Sequence, residues 1–461
     1  MEQHTLEQVI EKLKSVVGPE HVLTSYEERY CYSRDATWYR AMPDVVVRPR
    51  TTEEVVRIVT LANEEKIPIT PRGSGTNLTG GVIPVKGGIV MDLSRMNKIL
   101  EISVMNRIAV VEPGVLHADL ENELAKHGLF WPPDPASTYA CTMGGVIAES
   151  AGGLRGAKYG TTREWVLGLE VVLPTGEVIK TGARTLKSVT GYDLTHLIVG
   201  SEGTLGIITK AILRVCPVPE AIVRMSAAFN KIETAGLAVG KIFEARVAPT
   251  IMEVMERDLI RSVNKWLKLG LPEVDAIMII DVEGIQGEVE KLAGRVEKVL
   301  RDVGATEIKR ATTAKEMEDL YLARKAAYPS LFQVWRKTAV PDDCCVPVDK
   351  LPEAFKLIKE ISQRWGVPVG ILAHAGDGNL HPIWTADARN PEEVDRALKC
   401  YFEVCREVLR LGGSVSAEHG IGIVKASLVE EEYGSKVVEI MRAIKKIFDP
   451  NDIMNPGKMG L

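Results

Sequence analysis

Apolar side chains at Leu6, Val9, Ile10, Leu13 and Val17, separated by glutamate and lysine, fall on one side of a 3.6-residue period and predict an amphipathic surface helix at the start of the chain. A second helix is expected over 52–65, where Val55, Val56, Ile58, Val59 and Ala62 supply a buried face. Across 45–219, short β-rich runs broken by glycine interleave with such brief helices, a pattern of α+β type rather than alternating Rossmann units. Two closely spaced prolines in Cys216-Pro217-Val218-Pro219 end a strand and stiffen a linker, which divides the chain into a domain over 1–218 and another over 219–461. In the second half, helical periods near 230–245, 285–303, 315–327, 352–365 and 391–411 alternate with apolar strands at 276–282 and 366–373. An antiparallel sheet with helices on one face is the economical arrangement for them. A last amphipathic helix over 436–448 stops at Asp449-Pro450, and Asn455-Pro456-Gly457-Lys458 forms an ordered tail.

With 461 residues, 45% of them hydrophobic and 26% charged, the chain can bury two or three substantial cores and is not disordered. A net charge of −5 and the lack of a basic run with interleaved aromatics argue against nucleic acid, leaving a small molecule as the expected ligand. No apolar run is long enough to span a bilayer, and the first helix lacks the pattern of a signal peptide. The seven cysteines are odd in number and show neither a Cys-x-x-Cys pair nor iron–sulfur spacing, which fits a reduced cytoplasmic compartment and a chain without a cluster of its own. Adjacent Cys344 and Cys345 read as buried thiols.

The chemistry concentrates in His374-Ala375-Gly376-Asp377-Gly378-Asn379-Leu380-His381 and, later, Glu418-His419-Gly420, which together hold three of the eight histidines. The strand at 366–373 can return through Leu380 to Trp384 across the Gly-Asp-Gly turn, so the two histidines face each other at the mouth of a hairpin. A lone histidine in a glycine loop is usually structural, but two histidines with a Glu-His pair favour a metal site with open coordination positions. Asp between two glycines is ordinary turn chemistry, so Asp377 is the weaker ligand. Adjacent residues on a strand point to opposite sides, which assigns Glu418 to the metal and His419 to proton transfer.

Glycine clusters mark the first half. Pro71-Arg72-Gly73-Ser74-Gly75-Thr76-Asn77 follows a short strand, and its glycines let backbone N–H groups curl round a pyrophosphate, yet it fails the Gly-x-Gly-x-x-Gly fingerprint and disfavours NAD in a Rossmann domain. Further clusters at Trp131 to Gly160 and Gly200 to Ile208 remove side chains where a large flat ligand would collide with them. Any one of these glycines reads as a tight turn; three clusters point to an extended, buried cofactor.

The ordered motifs PRGSGTNLTGG, GGLRGAKYG, GSEGTLGIIT, HAGDGNLH, AEHGIG and NPGK run from about Pro43 to Met459. Through them the chain resembles the FAD-linked D-2-hydroxy-acid dehydrogenases of the vanillyl-alcohol-oxidase-type fold, which include D-lactate dehydrogenases, the glycolate oxidase flavin subunit and D-2-hydroxyglutarate dehydrogenase. The resemblance implies a two-subdomain FAD-binding domain and an α+β cap, or substrate domain, with an antiparallel sheet. It places the pyrophosphate on Arg72, Gly73, Ser74, Gly75, Thr76 and Asn77. The remaining cofactor residues it implies are Asp134, Pro135, Ser137, Gly144, Gly145, Ser150, Gly152, Gly153, Tyr159, Gly160, Glu202, Gly203, Gly206, Ile207 and Asn455. The first glycine loop has no histidine, so FAD is expected to be non-covalent.

By the same resemblance His374, His381 and Glu418 hold one divalent ion (zinc, manganese or iron), His419 is the catalytic base, and Arg324 binds the substrate carboxylate. Taken alone, Arg324 reads as a solvated charge on an amphipathic helix. Ile383 stands where some dicarboxylate-oxidising relatives have a polar residue, which favours lactate or glycolate over 2-hydroxyglutarate. Electrons are then expected to leave to an iron–sulfur subunit, an electron-transferring flavoprotein or a quinone-linked partner, through which the chain could sit at a membrane surface. Three other readings stay open at this point: a non-redox synthase resembling alkylglycerone-phosphate synthase, a silent electron-relay subunit, and a non-haem iron oxygenase.

Overall fold

The computed structural model describes residues 3–335, 338, 339 and 343–461. The chain divides into two compact units, the first made of 1–151, 161–218 and 418–461 and the second of 152–160 and 219–417.

Among its described residues the first unit holds two larger sheets and a two-stranded one. Strands β1 (Val22–Leu23), β2 (Val45–Val47), β3 (Ile69–Arg72) and β4 (Ile89–Asp92) lie in the order β1-β2-β4-β3, with β4 parallel to both β2 and β3. Val45, Val46 and Val47 are all fully buried, because a parallel strand covered on both faces needs an unbroken apolar run. The helices Gln3–Val17 and Thr52–Glu64 pack Val9, Leu13, Val55, Ile58 and Val59 into this core, as their periodicity predicts. Fully burying each such side chain contributes roughly 1.5–3 kcal/mol. Thr51 caps the second helix through its side chain, which accepts the Glu54 N–H.

The other sheet is antiparallel and is built from β5 (Ile99–Ser103), β6 (Ile108–Val111), β8 (Val166–Val172), β9 (Val178–Gly182) and β10 (Ile207–Arg214), in the order β5-β6-β10-β8-β9. Between them β7 (Leu129–Phe130) pairs with β11 (Cys216–Pro217). The carboxyl-terminal segment belongs to this unit. Asn455 N–H reaches Ile69 O, Lys458 Nζ reaches Ile83 O at 2.7 Å, and the buried Lys445 holds Thr204 O and Met454 O.

The second unit is an antiparallel sheet of β12 (Ala221–Phe229), β13 (Ile251–Glu256), β14 (Ala276–Gly284), β15 (Glu307–Arg310), β16 (Thr338–Ala339), β18 (Val369–His374) and β19 (Asn379–Ala386). Its order is β15-β12-β14-β13-β18-β19-β16, and β17 (Cys344–Cys345) pairs with β19. The helices Ile232–Glu244, Glu288–Val303, Leu351–Trp365 and Pro391–Arg410 fall where periodicity places them, whereas the expected 315–327 helix runs as Ala314–Trp335 through Pro329. A further helix, Arg257–Leu267, is not among those expected from the sequence.

Helices on one face is the expectation that fails. Successive strand residues point to opposite faces, and all six residues of β13 are buried. Arg257–Leu267 and Ala314–Trp335 cover the face carrying Met255, Ile277, Ile279 and Leu372, so the alternate residues need cover of their own. Among the described residues no helix is long and apolar enough to cross a membrane.

Candidate functional site

Strands β18 and β19 form the hairpin that the Gly-Asp-Gly turn requires, with His374 opposite Asn379 and Leu372 opposite His381. The two histidines are therefore diagonal neighbours on one face rather than directly opposed, and their rings meet edge to face with centroids 5.0 Å apart. Glu253 of β13 lies directly across from His374 in the register. Its Oε1 receives His374 Nδ1 at 2.7 Å, and its Oε2 receives Arg324 Nε. Arg324 Nη2 lies 3.3 Å from Nδ1 and 3.5 Å from Nε2 of His374, nearly equal distances that place it over the ring face.

Arg324 is thus a buried charge paired inside the unit, not a solvated one; it is only 4% exposed, and Glu253 only 1%. Ile383, on the same face as His381, belongs to the apolar cluster with Leu372, Ala323 and Ala327.

The turn between the histidines is closely fitted. At Gly378, with φ +82°, an added Cβ would come within 2.0 Å of Val346 O, so only glycine serves there. Asp377 Oδ1 accepts the Asn379 N–H at 3.1 Å, the turn role expected of it. Cys344 is buried and Cys345 is partly so, and the latter exchanges backbone hydrogen bonds with Ser414. Beside them, buried Asp343 accepts Ser416 Oγ at 2.6 Å and Ala417 N–H at 3.0 Å, which fixes the chain one peptide bond before Glu418.

In the first unit a cavity with about 600 Å³ of open space, solvent at its mouth included, gathers Arg72, Gly73, Gly144, Gly145, Glu202, Gly203, Gly206 and Ile207 from the predicted cofactor set, together with Thr142, Glu149 and Ser201. At two of its glycines there is no room for a side chain. A Cβ on Gly73 would meet Thr142 Oγ1 at 2.1 Å, and one on Gly144 would meet Pro113 at 2.6 Å. Two of its lining atoms, Thr142 Oγ1 and Glu149 Oε2, are buried without a hydrogen-bond partner among the described residues. A cradle bounded by glycine backbone and orphaned polar atoms fits a polar, extended ligand such as FAD.

Other predicted residues stand apart from that lining. Ser74 is exposed, Gly75 (φ +75°) abuts the Arg72 guanidinium, and Thr76 is half-buried. Asn77 Nδ2 donates to Glu149 Oε1 at 2.8 Å. Asp134 and Pro135 are buried in a turn in which Ser137 O accepts the Cys141 N–H. Ser150 ends a helix in the left-handed region at φ 52°. Gly152, Gly153, Tyr159 and Gly160 belong to the second unit, where Tyr159 Oη and Lys158 Nζ both donate to Glu283.

Two buried acids join the cavity to the last motifs. Glu202 accepts Ile421 N–H at 2.6 Å and Gly422 N–H at 2.7 Å, while Glu149 Oε2 is buried without a partner among the described residues. Burial first, and then the charges of Glu202 and Asp35, hold the Glu149 carboxyl well above the usual range. Burial also raises Glu202, against the opposing effect of those two N–H groups and of Lys425 and Lys458. Lys458 itself is pushed down to about 8, chiefly by burial.

Thr79 Oγ1 donates to His419 O at 3.2 Å, and His419 Nε2 lies 3.7 Å from Glu418 Oε1. Asn455 Nδ2 donates to Gly81 O and Glu202 O. Glu253, Asp343 and Glu149 carry no motif. For Glu253 and Glu149 the available signal was a charged residue in an otherwise apolar strand or helix; Asp343, outside both, gave none. Buried His117 is structural, with Thr138 Oγ1 at 2.5 Å and Pro133 O at 3.0 Å from its ring nitrogens.

Residues 43–182 match the model of an FAD binding domain, and residues 218–459 match that of the FAD linked oxidases, C-terminal domain. The chain is 41% identical to the glycolate oxidase subunit GlcD of Bacillus subtilis, over 98% of this chain and 96% of that protein. It is 38% identical to the D-lactate dehydrogenase of Archaeoglobus fulgidus, over 90% and 91%. In fold it is similar to p-cresol methylhydroxylase (TM-score 0.83, 21% identity, 100% of this chain and 97% of the other). It is also similar to alkyldihydroxyacetonephosphate synthase (TM-score 0.77, 23% identity, 97% and 85%).

Proposed function

This chain belongs to the FAD-linked oxidases, and we propose that it oxidises a short D-2-hydroxy acid, D-lactate or glycolate, to the 2-oxo acid. The observation that carries this reading is the buried set of His374, His381 and Arg324 on one face of the second unit, a cation beside two imidazoles in a chain that also has an FAD-binding domain.

Arg324 would bind the substrate carboxylate in a charge-assisted pair. His374, His381 and Glu418 would hold a divalent ion; imidazole and carboxylate donors suit zinc, manganese or iron, and Nδ1 of His374 is turned to Glu253, which assigns its Nε2 to the metal. His419, the residue after Glu418, would accept the 2-hydroxyl proton. Bound FAD would supply the two-electron acceptor for the C2 hydride, and the metal ion the Lewis acidity that acidifies the hydroxyl.

The cofactor set proposed here is the one the motifs imply, Arg72 to Asn77, Asp134, Pro135, Ser137, Gly144, Gly145, Ser150, Gly152, Gly153, Tyr159, Gly160, Glu202, Gly203, Gly206, Ile207 and Asn455, with FAD non-covalent. Ile383, packed among apolar side chains, favours a small acid over a dicarboxylate. Reoxidation would pass to a separate electron-accepting protein, an iron–sulfur subunit or an electron-transferring flavoprotein, in the cytoplasm.

Anaerobic flavin bleaching on metal-replete protein tests the reading, with D-lactate, L-lactate, glycolate and D-2-hydroxyglutarate added in turn. Rapid bleaching by D-lactate or glycolate, abolished by chelation and restored by divalent ion, is expected. Bleaching by none of them, with FAD and metal bound, would refute it.

A further inference from the structure

Glu253 sits at the centre of the β13 register, directly opposite His374, on a strand whose six residues are all buried. An ionised carboxylate in such a place costs several kcal/mol unless its lone pairs are matched, and here each oxygen has one donor: His374 Nδ1 on Oε1 and Arg324 Nε on Oε2. A carboxylate only accepts hydrogen bonds, so the proton between Glu253 and His374 lies on Nδ1, which leaves Nε2 as the basic nitrogen of a neutral ring. The guanidinium is constrained in the same way. With its Nε taken by Glu253, Arg324 can offer a carboxylate only its end-on pair, Nη1 and Nη2.

We propose that Glu253 is the positioning residue of this site, one oxygen selecting the His374 tautomer that presents Nε2 and the other turning Arg324 so that its Nη1/Nη2 edge receives the substrate carboxylate. The proposal rests on the metal and substrate reading above. It adds that one buried carboxylate sets metal affinity and acid affinity together, because the strand register and the helix over it bring both partners to it.

The test is Glu253→Gln, which keeps shape but replaces one acceptor oxygen with a donor that cannot face His374 Nδ1–H and Arg324 Nε–H at once. Nitrogen-15 spectra of histidine-labelled, metal-free holo-flavoprotein read the tautomer without any metal or turnover. The wild type is expected to show His374 as Nδ1–H, and E253Q to show a mixture or the Nε2–H form. Chelator competition should then give metal affinity lowered roughly 10–100-fold, the usual effect of losing such an outer partner. KM for the acid should rise roughly tenfold, the loss of about one charge-assisted hydrogen bond, with FAD content unchanged. Glu253→Asp, which keeps the charge, should fall between the two.

An Nε2–H tautomer in the wild type overturns the proposal, as does an E253Q protein with unaltered tautomer and metal affinity. An E253Q protein that loses FAD and melts early with its tautomer intact also overturns it, in favour of a purely structural role. A wild type that binds no divalent ion but shows Nδ1–H, lost in E253Q, would remove the metal reading and leave the orienting role standing.

Discussion

Alanine at Gly420 tests whether the turn carrying Glu418 and His419 is set by the two buried acids beneath it. Gly420 has φ +80°, which costs an L-residue roughly 1–2 kcal/mol. Its added methyl would lie 2.2 Å from Glu149 Oε2 and 2.9 Å from Glu202 Oε1, so at least one carboxylate must move. Glu202 is tied to the N–H groups of Ile421 and Gly422, and loosening one charge-assisted bond costs about 1.5–3 kcal/mol. The variant should therefore lose about 2.5–5 kcal/mol of stability. Gly366→Ala is the control: at φ +64° and ψ +31° with nothing within 4 Å of the added carbon, it reports the left-handed backbone strain without a clash. Denaturant unfolding followed by FAD release gives the stabilities, and stopped-flow flavin reduction at saturating acid gives the consequence for His419, which should be slowing of at least roughly tenfold. A Gly420→Ala protein no less stable than Gly366→Ala, reducing its flavin at the wild-type rate, would refute the reasoning.

Burial pushes the Glu256 carboxyl up to about 7 from 4.5, so the folded chain binds this proton more tightly than the unfolded one, and stability falls as pH rises through that window. Glu256→Gln, whose oxygen can still accept the Asp258 N–H, should remove about 3 kcal/mol of that fall; a difference between wild type and variant that stays flat from pH 4.5 to 7 would show the carboxyl to be unperturbed. Asn455→Ala strips the donors from Gly81 O and Glu202 O beside the cavity, and FAD dissociation measured by flavin fluorescence should become at least roughly tenfold more favourable. Unchanged FAD retention in that variant would detach the carboxyl-terminal tail from cofactor binding.

What could be read from the chain were features whose cause is local. Val9, Leu13, Val55 and Ile58 sit in one core because helical period alone assigns them a face. The β18–β19 hairpin follows from its glycine turn, and Gly378 admits no side chain against Val346 O. Helix Arg257–Leu267 was missed although Leu259, Ile260, Val263, Trp266 and Leu267 follow the helical period, because it follows strand β13 directly, with no glycine or proline to mark where one element ends. The second layer of helices on the large sheet was hidden for another reason. Met252 and Val254 look no different from a half-covered strand until Glu253 and Met255 between them are also seen to be buried.

The site divides along the same line. His374, His381, Glu418 and His419, the residues proposed as ligands and base, announce themselves because histidine is a rare residue type and here falls in short glycine-bounded motifs. Glu253 and Asp343 hold neighbouring protein groups, and a residue of that kind needs only the right partner across a strand or loop, which leaves no spacing to recognise. Asp343 shows this most plainly. Its carboxylate holds Ser416 and Ala417, so the direction in which the chain enters Glu418 is set by a residue some seventy positions earlier. A motif search that stops at His374, His381 and Glu418 therefore misses the buried acids that hold the groups next to them, Glu253 on His374 and Asp343 on Ser416 and Ala417.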